Sequence, residues 1–314
     1  ALDKLFEASK FLEASGLKHL LSSLGALTVG DVIESEGSKP ATEIRHGGNP
    51  GEAMNLSSSS RSSSGGSGNT GFVSTALNSV MSRWSRRMGK QRQGVAGDSK
   101  GRTAVAGHDS NTPPFALLKL IETTEHNMHR VAVSWDITAV HLHMIASKNS
   151  DSRLRVFCTT SLAQLTTTAL QHVKDGEGGE SLSQSDILQP LCRCYQSDFE
   201  NTRQISLNAV EALLKSCGHI LSDGWRDIIS LLQSVANGAE GVSHKNQQAE
   251  MILIGFRSLQ LVVDEFLESL TSPKGITECL LCLSSYATQT IDLNISLTAI
   301  GAIWAMTDFV RQLL

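Results

Sequence analysis

The segment Leu293-Asn-Ile-Ser-Leu-Thr-Ala-Ile-Gly-Ala-Ile-Trp304 has the residue spacing of an α-helix with one apolar stripe. Ile295, Ala299, Ile300 and Ile303 recur at intervals that place them on one side of a helix with 3.6 residues per turn. Because aliphatic residues fill that side, we expect it to be buried against neighbouring helices.

The same pattern occurs three more times upstream in the chain. The equivalent stretches are Leu154 to Leu165, Arg203 to Leu214, and Glu250 to Leu261. Their last residues and Trp304 are separated by 49, 47 and 43 residues. Helical self-similarity at roughly 40–47 residues is typical of HEAT and armadillo repeats, in which each unit buries its apolar face against its neighbours. The sequence therefore predicts an all-α fold, an α-solenoid of HEAT/armadillo-like helical pairs with a long disordered insert.

Composition and charge narrow the function classes. The chain has 314 residues, 40% of them hydrophobic, and a net charge of −4. Residues 56–112 carry eight Lys/Arg against two Asp, so this part is +6 and the remainder is −10. An acidic body with a basic segment disfavours general nucleic-acid binding. We expect no secretory signal, no membrane span and a reducing cytosolic compartment.

The chain divides into three parts by composition. Residues 1–33 have short helical patterns, interrupted at Gly16, that would complete the solenoid. Residues 34–112 form a Ser/Gly-rich basic linker, predicted to be mostly disordered because it offers little to offset chain entropy. Residues 113–314 form the helical-repeat domain. Its predicted helices are 115–129, 132–147, 151–173, 184–196, 200–218, 223–236, 245–268, 274–288 and 291–313.

Candidate metal and catalytic residues do not assemble into a motif. His141 and His143 are two residues apart, so they point to nearly opposite sides of a helix. Cys279 and Cys282 lie in an apolar helical run, where thiols usually act as small buried hydrophobes. No nucleophile elbow and no phosphate-binding loop is present in the sequence. We therefore expect no enzyme activity, no cofactor, no catalytic residues and no metal site.

The segment 71–88 predicts a short amphipathic helix within the linker. Val73, Leu77, Met81 and Trp84 fall on one helical stripe, and basic residues follow it. Those basic residues are Arg83, Arg86 and Arg87. Trp and Arg on such a helix suit contact with anionic or curved membranes. Docking of the segment on a protein groove or on the solenoid, and accidental periodicity in a disordered tether, remain alternatives.

Residues 115–314 resemble the central-to-C-terminal helical region of the monensin-sensitivity-two (Mon-two) family of Golgi and endosomal scaffolds. The resemblance rests on several short motifs. They are Phe115-Ala-Leu-Leu-Lys-Leu-Ile-Glu-Thr123, Asn127-Met-His-Arg130, the helix of Trp135 leading to Ser152-Arg-Leu-Arg155, Leu221-Ser-Asp-Gly-Trp225, Phe256-Arg-Ser-Leu-Gln-Leu-Val-Val-Asp264, and Leu293-Asn-Ile-Ser-Leu-Thr-Ala-Ile-Gly301 with Trp304. The last of these motifs is the most specific. The family is related to the large Sec-seven ARF exchange factors but lacks their catalytic domain.

The resemblance implies a non-catalytic scaffold that is cytoplasmic and peripheral on Golgi, trans-Golgi network and endosomal membranes. The implied partners are a Dopey-family protein, an aminophospholipid flippase and an ARF-like GTPase; the implied roles are endosome-to-Golgi recycling and protein sorting. A lipid-responsive, membrane-binding regulatory module is the alternative function. The motif residues Trp135, Trp225, Asn294, Gly301 and Trp304 are expected to be structural. We expect Trp225 and Trp304 to anchor helix packing and Gly301 to lie at a close helix approach.

Overall fold

A computed structural model describes residues 2–37, 113–174, 182–238, 245–270 and 272–313. The described residues form α-helices joined by short 3₁₀ turns, and none of them lies in a strand. The all-α expectation is therefore confirmed. The predicted insert lies outside the described residues from residue 38 onward.

The helices follow the boundaries that the apolar periodicity predicts. They are α1 (Leu2–Glu7), α2 (Ala14–Gly37), α3 (Phe115–His126), α4 (Val131–Lys148), α5 (Ser152–Lys174), α6 (Gln184–Arg193), α7 (Glu200–Cys217), α8 (Trp225–Asn237), α9 (Lys245–Glu265), α10 (Pro273–Thr288) and α11 (Leu293–Leu313). Each of the four repeated stretches falls in an odd-numbered helix between α5 and α11.

The helices from α4 onward pack in two layers. One layer contains α4, α6, α8 and α10, and the second contains α5, α7, α9 and α11; each helix contacts the next one in its own layer. Sequential helices also pair across the layers, as α4 does with α5 and α10 with α11. This stacking of antiparallel pairs is the arrangement of an α-solenoid.

Helix starts show why the local sequence folds as it does. The Ser183 hydroxyl accepts a bond from the Asp186 backbone N–H at the start of α6, and the Asp186 carboxylate accepts from the Ser183 backbone. The Ser272 hydroxyl accepts the Gly275 N–H at the start of α10, with Pro273 in the first turn. The Asp292 carboxylate accepts the Asn294 N–H (2.8 Å) at the start of α11. These side chains satisfy backbone donors that a helix start leaves unpaired.

The amino-terminal segment packs on α3 and α4. Phe6 and Leu17 belong to one apolar cluster with Leu120 of α3, and Val133 of α4 packs against it. The break between α1 and α2 differs from the predicted one: the chain turns at Leu12 and Glu13, and Gly16 lies inside α2. Helix α2 also continues to Gly37, beyond the expected boundary at residue 33.

Candidate interaction surfaces

The predicted membrane-contact residues cannot be placed in the fold. Val73, Leu77, Met81, Trp84, Arg83, Arg86 and Arg87 all lie outside the described residues. The interpretation of 71–88 as an interfacial helix therefore stays a prediction.

Trp135 and Trp225 are buried and join helices. The Trp135 indole Nε1 donates to the Asp186 carbonyl (3.1 Å), which ties α4 to α6. Trp225 begins α8, and its ring lies 5.4 Å from that of Phe266, just after α9. Tilted aromatic pairs at this distance add to the stabilisation that burial provides.

The expectation for the end of the last motif is wrong at two residues. Trp304 is 71% exposed, so it anchors no helix contact within the described residues. Gly301 has open space where a Cβ would lie, so no helix approaches it closely in the part of the chain that the structure describes. Asn294 is also exposed, whereas Ala299 is fully buried. Of the predicted buried stripe, Ile295 and Ala299 are buried, whereas Ile300 is 43% exposed, so the helical period did not show which side of α11 is covered.

Asn127 and Arg130 form a clamp that holds the amino-terminal segment. The buried Asn127 amide donates to the Thr123 carbonyl (2.7 Å) and to the Ser9 hydroxyl (2.8 Å). The Arg130 guanidinium donates to the Ser9 carbonyl (2.7 Å), to the Leu12 carbonyl and to Asn127 Oδ1. The motif Asn127-Met-His-Arg130 therefore binds residues 9–12, in addition to capping its own helix. No feature of the sequence indicated this contact, which spans more than a hundred residues.

A second clamp, at Gln184, fixes the loop before α8. The Gln184 side chain accepts the Ser222 N–H (2.7 Å) and donates to the Ile220 carbonyl (2.8 Å). Gly224 lies against the same helix, because an added Cβ would be only 2.6 Å from Leu188 Cδ1. The motif Leu221-Ser-Asp-Gly-Trp225 thus positions α8 against α6. Gln184 was not identified from the sequence.

Three polar contacts join α5 to α7 and α7 to α9, each between residues 46 positions apart. Asn201 Oδ1 accepts from Arg155 Nη2 (3.3 Å), and Gln204 Nε2 donates to Glu250 Oε1 (2.8 Å). Between α7 and α9, Arg257 Nη2 donates to Glu211 Oε2 (3.0 Å). We call these contacts the lateral ladder. It connects polar side chains of α5, α7 and α9 across the second layer.

Arg155 is the most enclosed member of the lateral ladder. Its guanidinium donates to the Asn149 and Ser150 carbonyls (both 2.8 Å), in the loop before α5. The guanidinium carbon also lies 3.6 Å from the centre of the Phe199 ring. Hydrogen bonds and a cation–π contact together compensate for burying the charge. This arrangement assigns a packing role to the motif Ser152-Arg-Leu-Arg155.

Several described cysteines and histidines have the chemistry of core residues. Burial raises the pKa of Cys192, Cys194 and Cys279 to about 12 in each case. Burial, with Arg193 and Lys148 nearby, lowers the pKa of His143, whose Nδ1 lies 3.6 Å from Cys194 Sγ. Thiols with raised pKa values are poor nucleophiles and poor metal ligands at neutral pH. Among the described residues, no group of three or more His, Cys, Asp or Glu could hold a metal ion.

Helix α11 has a second apolar face in addition to the one that it buries. Ile295, Ala299 and Met306 are buried where α11 meets α9 and α10. The opposite side is exposed and consists of Leu293, Leu297, Ile300 and Trp304; we call it the α11 stripe. Within the described residues, Leu293–Gln312 is long and apolar enough to cross a membrane by composition, with a mean hydropathy of 1.4. The expectation of no membrane span stays a prediction, because a core helix can have the same length and composition.

Comparison with known proteins points to one family. A profile described as Mon2/Sec7/BIG1-like, HDS matches residues 177–251, which include α6, α7 and α8. The chain is 31% identical over 199 residues to Protein MON2 homolog of Drosophila melanogaster, a match that covers 63% of this chain and 11% of that protein. It is 29% identical over 212 residues to Protein MON2 homolog of Homo sapiens (66% and 12%).

A more distant similarity extends to exchange proteins. The chain is 23% identical over 193 residues to Brefeldin A-inhibited guanine nucleotide-exchange protein 1 of Arabidopsis thaliana, a match that covers 60% of this chain and 11% of that protein. The chain therefore spans only a small fraction of the length of the curated relatives that it matches.

Proposed function

We propose, from the premise that this chain belongs to the Mon2 family, that it is a non-catalytic scaffold in membrane traffic at the trans-Golgi network and endosomes. In this role it would act by protein–protein binding and would support endosome-to-Golgi recycling and sorting. The protein would be cytoplasmic and peripheral on those membranes. Its similarity to an exchange protein supports the proposed link to a GTPase pathway.

The lateral ladder is the observation that carries the proposal. Helices α5, α7 and α9 pack side by side and are joined by bonds at one repeated separation, so the second layer presents an extended surface. Extended solenoid surfaces are normally used to bind other proteins. Cysteines and histidines are the usual nucleophiles and bases of active sites. Here the described cysteines and the partly buried histidines pack in the core of the solenoid. We therefore propose that the surface, and no active site, performs the function.

The proposed partners are a Dopey-family protein, an aminophospholipid flippase and an ARF-like GTPase. A pull-down on immobilised 1–314 tests the first, and we expect the Dopey-family protein to be retained. No retention at micromolar concentration would contradict the assignment. A nucleotide-exchange assay of the full-length protein with the GTPase tests the non-catalytic role, since we expect no acceleration of exchange.

Two matched charge reversals locate the binding layer. One variant replaces Lys215 and Arg257 by Glu on the second layer, and the other replaces Arg193 and Arg226 by Glu on the first. All four side chains are exposed, and both variants change the net charge equally. A specific surface loses the partner in one variant alone. Because Lys215 and Arg257 both pair with Glu211 of the lateral ladder, circular dichroism and melting temperature are compared in both variants to show that each keeps the fold. Equal loss in both would indicate non-specific attraction and contradict the proposal.

The second candidate function is a lipid-responsive membrane-binding module that regulates an ARF-like GTPase pathway. The observation that favours it is the apolar stripe of 71–88 with its three arginines. Flotation with small anionic vesicles tests it, and we expect binding that is lost when Trp84 is replaced by Asp. The matched control is Asn78→Asp on the polar face of the same segment. Equal binding by both variants would show that the stripe does not contact lipid.

A further inference from the structure

The amino-terminal segment, residues 2–28, packs on α3 and α4 although it is far from them in the sequence. Ala1–Thr28 and Ser99–Leu314 form one compact unit, whereas Val29–Asp98 belongs to another. The segment therefore completes the solenoid unit from outside its continuous part of the chain.

The apolar contacts of the segment are those of an amphipathic helix in a groove. Leu17, Leu21 and Leu24 of α2 lie at i, i+4 and i+7, and they are 0%, 0% and 5% exposed. They cluster with Leu120 of α3, and Val133 of α4 packs against the cluster. A helix that binds in a groove presents its apolar anchors at the same spacing.

Polar side chains of α3 and of the turn before α4 bind the backbone of the segment. Arg130 donates to the Ser9 carbonyl (2.7 Å) and to the Leu12 carbonyl. Asn127 donates to the Ser9 hydroxyl (2.8 Å). Backbone carbonyls are present in every peptide, so these bonds fix the position of the turn between α1 and α2. The leucine anchors then provide the selectivity.

A further contact lies at the other end of the site. The Thr28 hydroxyl donates to the Gly25 carbonyl (2.6 Å) and is in hydrogen-bond contact with His141 Nε2. A Cβ on Gly25 would lie 3.6 Å from His141 Nδ1, so the imidazole ring lies against α2. The site thus extends along α4 from Val133 to His141.

The solenoid has a core of its own beneath this site. Trp135, Leu142 and Ala146 of α4 are buried, and α4 packs on α5 and α6. The bond from the Trp135 indole to the Asp186 carbonyl also joins α4 to α6. By contrast, α1 has only six residues, and helices this short are not stable alone in water. The segment therefore resembles a ligand that folds when it binds.

We propose that α3 and α4 form a binding site for an amphipathic helical segment, and that residues 2–28 occupy this site as a detachable ligand within the same chain. The ligand class is a serine-containing turn followed by a helix with leucines at i, i+4 and i+7. The site is separate from the lateral ladder, and release of the segment uncovers the apolar side chains of Leu120 and Val133.

The covalent connection determines how often the site is open. It holds the ligand at a local concentration of up to about a millimolar, so the site is occupied for most of the time. Once the connection is cut, occupancy depends on the concentration of the free segment, and an added segment of the same sequence competes for the site.

Cutting the connection in the 314-residue chain tests the proposal. A specific protease site inserted between Gly66 and Ser67 allows cleavage of the folded protein. We expect the two parts to co-elute in size-exclusion chromatography at high protein concentration and to separate on dilution. The larger part should then keep its helical circular dichroism and cooperative melting, and synthetic peptide 1–28 should restore slow hydrogen exchange in 115–141.

Two results would overturn the proposal. If the larger part unfolds when the segment is lost, the segment is an integral part of the core. If the parts separate at every concentration, or at none, residues 2–28 are not a reversible ligand.

Variant peptides test the stated ligand class by fluorescence anisotropy with the larger part. Leu21→Asp should weaken binding about a hundredfold or more, because it places an unpaired charge among the buried leucines. The matched control is Ser22→Asp, which places the same charge on the exposed side of α2 and should bind like the native peptide. Equal affinities for the two variants would contradict helix-in-groove binding.

A matched pair of variants in the cleaved chain tests the clamp. Arg130→Ala should weaken binding of peptide 1–28 about 30-fold, because its bonds to the segment are lost. Arg153→Ala removes an exposed arginine that pairs only locally with Asp151, and binding should be unchanged. Native affinity in Arg130→Ala, or the same loss in Arg153→Ala, would show that the clamp does not select the ligand.

Discussion

Replacing Arg130 by Ala should release the amino-terminal segment from the solenoid without unfolding the rest. Arg130 donates to the carbonyls of Ser9 and Leu12 and to Asn127 Oδ1. Hydrogen bonds from a charged donor contribute about 1.5–3 kcal/mol each when enclosed, but this guanidinium is partly exposed. We therefore expect a total loss of about 2 kcal/mol, or roughly a 30-fold rise in the opening of this segment.

Hydrogen–deuterium exchange with mass spectrometry measures this opening directly. In Arg130→Ala, the protected amides of 2–28 should exchange about 30 times faster, with those of 131–174 unchanged. The apolar contacts of Phe6 and Leu17 remain, so the segment stays docked for most of the time. Arg130→Lys should give an intermediate effect, since an ammonium group cannot reproduce the guanidinium fork.

Arg153→Ala is the matched control for this prediction. Arg153 pairs with Asp151 at the surface (3.2 Å), where an ion pair contributes little. We expect its exchange pattern to match that of the native chain. If Arg130→Ala accelerates exchange less than about threefold in 2–28, or equally along the whole chain, the clamp does not hold the segment.

Three further predictions concern packing, protonation and thiol chemistry. Gly218→Ala should lower the free energy of unfolding, measured by urea denaturation, by about 1–3 kcal/mol, because the new Cβ would lie 2.3 Å from Phe266 Cζ. Gly301→Ala should raise the free energy of unfolding by about 0.5–1 kcal/mol, because the added methyl group meets open space and alanine favours the helix. The free energy of unfolding should fall as the pH decreases below about 6.5. Burial lowers the pKa of His141 and His143, so only the unfolded chain gains protons at these residues in that range. In urea melts, the double variant His141→Asn/His143→Asn should lose much of this dependence on pH. Iodoacetamide should leave Cys192, Cys194 and Cys279 unmodified at pH 8 and alkylate them only in denaturant. The reason is that their pKa values are about 12 in the folded protein. Mass spectrometry measures the extent of alkylation.

The helices could be predicted from sequence because local signals agree with the apolar period. Asp292 and Ser272 cap the helices that begin directly after them, and Pro114 directly precedes α3. Each signal depends on residues within one or two turns, so no knowledge of distant contacts is needed. The all-α class follows from the same local information.

Long-range polar contacts could not be predicted in the same way. Arg130 and Ser9 are 121 residues apart, and Gln184 acts on a loop 36–40 residues downstream. A side-chain amide or guanidinium group can bind any suitably placed carbonyl. The presence of Gln184 or Arg130 in the sequence therefore does not indicate which distant residue it binds. The lateral ladder is a partial exception. Its separation of 46 residues is close to the repeat interval. Pairs of polar residues at this separation in the repeated helices would have predicted these contacts.

Trp304 shows the limit of periodicity most clearly. Leu165, Leu214 and Trp304 occupy equivalent positions, yet the first two are buried and the third is 71% exposed. A helical period reports that a face is apolar, whereas burial depends on whether another helix is beside it. In a solenoid, one apolar helix face packs against the next repeat and another can bind a different molecule. Both faces have the same sequence pattern. The pattern that identifies the repeats is therefore also the pattern of an association surface, and the neighbours of each helix determine which role it has.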